Sequence, residues 1–271
     1  MHKVSFIGGG NMAAAIIGGL VASGADPAGI EVVEINADAR ANLAARFGVV
    51  THADLSQARL HGLVVLAVKP QSLPEVAAVL SMRMAGQLVL SIAAGVRVAD
   101  LARWLGGHAR IVRAMPNTPA LVRAGVSGLY AAPGLSADAR SDAEAVLRAV
   151  GGVVWVDDET ALDAVTAVSG SGPAYVFYCI ESLEAAAAAA GLAPAAARQL
   201  ALQTFFGAAK LALESGEEPA VLRQRVTSKG GTTERGLAAL DAASVKAAFA
   251  AAVNAASRRS AELGDELGRL A

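Results

Sequence analysis

Short apolar runs alternate with longer helical patterns over the first 158 positions of the chain. The runs stand at Val4–Ile7, Ile30–Val33, 62–68, 88–92, 111–114, 128–130 and 153–156. Runs of this kind are typical of strands buried on both faces, and helical stretches between them are typical of crossover connections. The pattern therefore predicts an α/β domain with a mostly parallel sheet.

The strand pattern stops after Asp158, and the remaining residues form alanine-rich helical stretches separated by glycine and proline. Alanine favours helices but buries little surface, so such helices need many close neighbours. Helices exchanged between two subunits would supply those neighbours. We therefore expect two domains, residues 1–158 and an all-α domain at 159–271, with the second forming a homodimer.

Gly8, Gly10 and Ala13 lie between the first apolar run and the first helical pattern. In a strand, turn and helix of this kind, Gly8 permits the turn, Gly10 lets a pyrophosphate approach, and Ala13 lets the helix pack on the strand. Glu34 ends the second run about 20 positions later, where a ribose-binding acid is expected. The sequence therefore predicts a Rossmann-like dinucleotide-binding domain.

Composition narrows the class of partner. Net charge is −1 with 17% charged residues and no long basic block, which disfavours nucleic acid and anionic membranes and favours a small molecule. The single Cys179 predicts a reducing compartment, and the start of the first strand at Val4 leaves no room for a signal peptide, so we expect a cytoplasmic enzyme. No metal site is expected, because metal-ligand spacing is lacking among His2, His52, His61 and His108.

Ligands of parallel sheets bind beyond the carboxyl ends of the strands. The residues that follow the predicted strands include Lys69, Pro70, Ala93 and Asn117. Asn117 stands between two prolines in a stiff loop suited to lie against a nicotinamide or its ribose, although a rigid connector would have the same sequence.

The segment at 227–233 combines four hydroxyl side chains, Lys229 and two glycines just before a helical pattern. Glycine backbone N–H groups, hydroxyls and a helix N-terminus together can hold a small carboxylate. A polar turn with a helix cap is the alternative. The segment at 169–175 also interrupts a helical pattern, and there a pocket wall and a simple kink are equally compatible with the sequence.

Five motifs together resemble the pyrroline-5-carboxylate reductases across essentially the whole chain. They are Gly-Gly-Gly-Asn-Met at 8–12, Ala-Val-Lys-Pro-Gln at 67–71, Met-Pro-Asn-Thr-Pro at 115–119, Ser-Gly-Ser-Gly-Pro-Ala-Tyr at 169–175 and Thr-Ser-Lys-Gly-Gly-Thr-Thr at 227–233. The resemblance implies hydride transfer from NADH or NADPH to the C=N carbon of 1-pyrroline-5-carboxylate, which yields L-proline. It also implies a dimer through the helical domain that often assembles further.

The resemblance also implies roles for single residues. Ser228 and the backbone at Thr232 would hold the substrate carboxylate, and the Thr233 hydroxyl would hydrogen-bond the ring nitrogen. Lys229 is better suited to attract the substrate carboxylate by its positive charge than to transfer a proton. The expected cofactor contacts are Gly8, Gly10, Asn11, Met12, Glu34, Ala67, Val68, Lys69, Pro70, Ala93 and Asn117.

Glu34 bears on the choice between the two cofactors. Family members that use NADPH commonly have a short polar residue and an arginine at this position, whereas this chain has Glu34-Ile35-Asn36. A carboxylate accepts from a ribose 2′-OH and repels a 2′-phosphate, so we expect NADH to be preferred. Arg40, one helical turn further on, leaves NADPH open.

Two other functions remain compatible with the sequence. One is a related reductase of another imine or of a β-hydroxy acid, although the latter needs a catalytic lysine and 161–192 holds none. The other is a non-enzymatic dinucleotide sensor, which would not need Ser228 and Thr233.

Overall fold

The computed structural model describes residues 3–270, so His2 lies outside the described residues. One eight-stranded sheet runs through the first part of the chain. Its strands are β1 Val4–Ile7, β2 Ile30–Val33, β3 Val50–His52, β4 Leu63–Leu66, β5 Leu88–Ser91, β6 Ile111–Met115, β7 Gly125–Ala131 and β8 Gly151–Trp155.

The strand order is β3-β2-β1-β4-β5-β6-β7-β8. Every neighbouring pair is parallel except β6 and β7, which pair antiparallel with Val112 opposite Ala131. The mostly parallel sheet is therefore confirmed. The short strand β3 was not predicted, because its sequence Val-Thr-His carries no continuous apolar run.

Helices connect the strands and make up the described chain beyond the sheet. They are α1 Asn11–Ala22, α2 Ala37–Phe47, α3 Leu73–Ser81, α4 Val98–Trp104, α5 Ala137–Arg148, α6 Ala161–Val165, α7 Gly172–Ala189, α8 Pro194–Ser215, α9 Pro219–Arg225, α10 Thr232–Ala242 and α11 Val245–Gly268. A π-helix at Thr166–Gly170 follows α6 directly. The all-helical second part of the chain is thus confirmed.

Two apolar cores cover the two faces of the sheet. Successive strand residues point to opposite faces, so Phe6 joins the core formed with α1 and α5, and Ile7 joins the core formed with α3 and α4. Strands buried on both faces explain the continuous apolar runs in the sequence. The parallel strands between these cores bring the ends of β1, β4, β5 and β6 to one edge.

Contacts divide the chain into two compact units. The first contains the described residues up to 171 together with those from 254 onward, and the second contains residues 172–253. The last part of α11 belongs to the first unit because Leu267 enters the apolar core, Asp265 pairs with Arg97 at 2.7 Å, and the Ser260 hydroxyl donates to Asp163 at 2.6 Å. These boundaries differ from the predicted 1–158 and 159–271.

Two absences apply to the described part of the chain. Residues 3–270 hold no group of three or more histidine, cysteine, aspartate or glutamate side chains arranged to bind a metal ion. Within the same range no single helix has the length and apolar character of a membrane span. Among the described helices only α10 and α11, taken together as a bent pair, have that length and composition.

Candidate functional site

The glycine turn after β1 is built for close backbone approach. Gly8 has φ +98°, and a Cβ there would lie 2.7 Å from the Ala67 carbonyl and 2.9 Å from the Val68 nitrogen. Gly10 differs, because its added Cβ would meet nothing within 4 Å. Gly8 therefore serves the packing of β1 against β4, while Gly10 leaves open space at the start of α1.

The N-terminus of α1 faces that open space with backbone groups. Gly10 is the residue before the helix, and no side chain caps it. The first N–H groups of a helix lack intrahelical acceptors and carry partial positive charge. Asn11 is exposed and Met12 is half-buried, so the turn offers backbone donors to an anion.

Glu34 is tied to the glycine turn, a link that the sequence did not reveal. Its carboxylate accepts from the Gly9 N–H at 2.7 Å and from the Asn36 N–H at 2.8 Å. Arg40 lies next to it, with Nη1 donating to the carbonyls of Glu34 and Ile35 at 2.8 and 2.9 Å. Each Glu34 oxygen has one protein donor, so both retain acceptor capacity.

The ends of the central strands place the other predicted cofactor residues along one edge of the sheet. Ala67 follows β4 and donates its N–H to the Ile7 carbonyl at 2.8 Å. Val68 and Pro70 are half-buried and Lys69 is exposed. Ala93 follows β5 and is buried. These residues share the carboxyl edge with the glycine turn because β1, β4 and β5 run parallel.

Asn117 follows β6 at the same edge, but its side chain is buried and used within the protein. The residue is only 8% exposed. Its Oδ1 accepts from the Val126 N–H at 2.8 Å, and its Nδ2 donates to the Ser169 carbonyl at 3.1 Å. The loop after β6 is therefore fixed both to the start of β7 and to the π-helix.

The sequence did not predict an ion pair between the buried Arg113 and the half-buried Glu159. Glu159 Oε1 accepts from Arg113 Nη1 at 2.9 Å and from the Val98 N–H at 2.7 Å. Arg113 is 5% exposed and lies in β6, and Val98 begins α4. One carboxylate thus joins a strand, a helix and the segment that follows β8.

The predicted carboxylate-binding segment forms a turn that leads into α10. Gly230 has φ +76° and donates its N–H to Glu234 Oε2 at 2.7 Å, and Gly231 donates to the Ser228 carbonyl at 3.0 Å. A Cβ at Gly231 would overlap the Ser228 hydroxyl, so this glycine makes room for that group. The exposed side chains of the segment are Ser228, Lys229, Thr232 and Thr233.

The predicted site residues thus fall into two groups. The cofactor group, from Gly8 to Asn117, lies in the first unit, and Ser228, Thr232 and Thr233 lie in the second. Within the first unit the fold brings the cofactor group to one edge of one sheet. Within the second it places the hydroxyls around a single helix N-terminus.

Two family models match different parts of the chain. Residues 159–263 match the dimerisation domain of pyrroline-5-carboxylate reductase. Residues 3–95 match the coenzyme F420-dependent NADP oxidoreductase family. The two matches fall on the helical part and on the first strands of the sheet, respectively.

Individual relatives match over nearly the whole length. The pyrroline-5-carboxylate reductase of Pseudomonas aeruginosa is 46% identical over 98% of both chains, and that of Haemophilus influenzae is 42% identical over 97% of this chain and 98% of its own. A solved pyrroline-5-carboxylate reductase from Coxiella burnetii superposes with a TM-score of 0.93 at 43% identity, covering 97% of this chain and 98% of its own. The Plasmodium falciparum enzyme, solved with NADP bound, gives 0.84 at 27% identity with the same coverage.

Proposed function

The chain belongs to the pyrroline-5-carboxylate reductase family, and from that premise we propose how its residues reduce 1-pyrroline-5-carboxylate to L-proline. It is an NAD(P)H-dependent oxidoreductase. The observation that carries the reaction is the match to enzymes of that name over 98% of the chain at 46% identity. A different imine or β-hydroxy-acid substrate, or a purely sensory role, has no comparable support.

The first unit fits a dinucleotide. Gly10 has open space where its Cβ would stand, and the uncapped start of α1 offers N–H groups to a pyrophosphate. We assign the remaining contacts to the edge residues Ala67, Val68, Lys69, Pro70 and Ala93, along with Asn11, Met12 and the backbone at Asn117. When bound, the cofactor supplies the hydride, while these residues orient its nicotinamide and exclude water.

The second unit supplies the substrate contacts. We assign the carboxylate to the Ser228 hydroxyl and to the backbone N–H groups around Thr232, which begin α10. The Thr233 hydroxyl hydrogen-bonds the ring nitrogen. Hydride adds to the C=N carbon and the nitrogen gains one proton, so the protein's task is orientation more than strong acid or base catalysis.

The charge of Glu34 favours NADH over NADPH. Gly9 and Asn36 hold the carboxylate at the end of β2, where it accepts from a ribose 2′-OH and repels a 2′-phosphate. Arg40 is the counterargument, since its guanidinium is adjacent and positive. The family model named for NADP and the NADP-bound Plasmodium enzyme also support the alternative cofactor.

The ratio of kcat/KM for NADH to that for NADPH tests this preference. We expect a ratio above one that falls at least about tenfold, or about 1.4 kcal/mol, in Glu34→Gln, which keeps the shape and removes the charge. Arg40→Gln tests the counterargument: a ratio that stays within about threefold would show that Arg40 does not select NADPH. A wild-type preference for NADPH would contradict the role given to Glu34.

We also propose a homodimer or higher homo-oligomer through the helical unit. Large apolar side chains are exposed there, including Tyr178 at 71% and Phe206 at 64%, and Tyr178 also lines an open cavity of about 720 Å³. Surfaces of this kind usually mark an interface. The match to a dimerisation domain at 159–263 agrees. Light scattering at micromolar concentration tests this, and a monomer would contradict it. A cytoplasmic location and the lack of nucleic-acid or membrane partners remain predictions.

The reaction itself is tested by the loss of reduced-cofactor absorbance with 1-pyrroline-5-carboxylate and by the appearance of L-proline. Both cofactors are used in parallel. Ser228→Ala/Thr233→Val is the matched inactive variant, because it keeps the helix and removes two exposed hydroxyls. Cofactor binding without turnover in the wild-type protein would favour another substrate.

A further inference from the structure

We propose that Asn117 is a positioning residue for hydride transfer, which acts by locking the loop after β6 onto the π-helix. The proposal rests on the reduction proposed above. Both ends of the amide are bonded within the protein, Oδ1 to the Val126 N–H and Nδ2 to the Ser169 carbonyl. With 8% exposure, the side chain has little surface left for a ligand.

The Ser169 carbonyl needs a donor because of the sequence that follows it. In an α-helix this carbonyl would accept from the N–H four residues later, but that residue is Pro173, which has no N–H. The local ladder is also widened, with the Ser171 N–H donating to the Thr166 carbonyl at 2.8 Å. Ser169 is half-buried, and a carbonyl shielded from water without a partner is costly, so the Asn117 amide meets that need.

A second contact holds the same two segments together. A Cβ at Gly170 would lie 2.6 Å from the Met115 Cε, so the end of β6 packs directly on the π-helix. Met115 and Asn117 therefore contact neighbouring residues of one helical turn. Turns of π-helix are frequent at functional sites, where they redirect side chains and backbone groups.

This lock acts at the nicotinamide end of the dinucleotide site and leaves the adenosine end unchanged. Glu34 follows β2 and Asn117 follows β6, and the order β2-β1-β4-β5-β6 puts four strand spacings, or about 19 Å, between them. A shift of about 1 Å near reacting atoms lowers rates by about 100-fold. Loss of the lock should therefore lower kcat far more than cofactor affinity.

The test is a double-mutant cycle between Asn117 and Pro173. Asn117→Asp keeps the acceptor for the Val126 N–H and removes the donor to Ser169, so kcat should fall at least about tenfold while the Kd for reduced cofactor changes less than about threefold. Pro173→Ala restores a backbone N–H that can reach the Ser169 carbonyl. In that background the fall in kcat caused by Asn117→Asp should shrink to about threefold or less.

Asn42→Asp, on the exposed surface of α2, is the charge-matched control and should leave kcat unchanged. If Asn117→Asp does not fold, Gly170→Ala provides an independent perturbation: its methyl group displaces the flexible Met115 side chain, and kcat should fall while cofactor affinity holds. Equal effects of Asn117→Asp in both backgrounds, or an equal loss of cofactor affinity, would overturn the positioning role alone. A wild-type protein without turnover would overturn the reaction as well.

Discussion

The glycine turn allows stability and cofactor binding to be separated by single methyl groups. In Gly8→Ala the new Cβ would lie 2.7 Å from the Ala67 carbonyl in a residue with φ +98°. Left-handed backbone alone costs about 1–2 kcal/mol in a residue with a side chain, and overlap with backbone atoms adds about 1–3 kcal/mol. We expect a total of about 2–5 kcal/mol, or roughly 10 °C in melting temperature for a chain of this size.

Two matched variants separate the cost of the left-handed backbone from the cost of steric overlap. Gly24→Ala has φ +91° but nothing within 4 Å of its Cβ, so it should show the backbone term alone, about 1–2 kcal/mol. Gly10→Ala has ordinary φ and open space, so its melting temperature should be unchanged. Its Cβ would instead occupy the space of the pyrophosphate, and NADH affinity should fall at least about tenfold.

Thermal unfolding and NADH fluorescence titration measure both quantities on the same samples. Equal shifts in melting temperature for Gly8→Ala and Gly24→Ala would show that the approach to Ala67 has no energetic consequence. Wild-type NADH affinity in Gly10→Ala would show that no pyrophosphate approaches this residue, and the assignment of the turn would then fail.

Three other predictions concern the substrate segment, the ion pair at Glu159 and a buried imidazole. Ser228→Ala and Thr233→Val should each lower kcat/KM for the imine about 10-fold to 100-fold, because each removes a substrate hydrogen bond. Steady-state kinetics measures this loss. Lys229→Met is the control and should lose less than tenfold. Glu159→Gln should lower the free energy of unfolding by about 2 kcal/mol in urea titrations, since a buried guanidinium loses its counter-charge while the amide oxygen still accepts from the helix N-terminus; an unchanged midpoint would contradict this. Burial lowers the pKa of His61 below its ordinary value, so the unfolded state binds more protons. Stability should therefore fall as pH drops below about 6.5. The difference between the urea midpoints at about pH 7.5 and about pH 5.5 should be smaller in His61→Gln than in the wild-type protein.

The central strands were predictable because both faces of each are buried. Val4–Ile7 and Ile30–Val33 have the predicted bounds, since every residue in them faces one of the two cores or a neighbouring loop. The strand Val50–His52 was missed because an edge strand needs only one apolar face and its backbone bonds come from a single neighbour. The antiparallel direction of β7 was also beyond the sequence, since strand direction depends on how the chain returns to the sheet.

Candidate chemistry was predictable where local sequence imposes local geometry. The glycine turn at Gly8 and Gly10 and the turn before Thr232 are short-range structures, and the residue types in them indicate the local backbone conformation. The lock at Asn117 was not predictable. Its partner Ser169 lies 52 residues away in the sequence, and an asparagine between prolines has the same sequence whether its amide faces a ligand or the protein interior.

The sequence by itself determined the alternation of strands and helices, the dinucleotide turn, the helical second part and the hydroxyl-rich segment at 227–233, because each depends on residue spacing within a few turns or strands. Only the tertiary structure decided that Glu34 holds the Gly9 N–H, that Glu159 neutralises Arg113, and that the end of α11 returns to the first unit through Leu267. These contacts join residues far apart in the chain, and their formation depends on how whole elements pack.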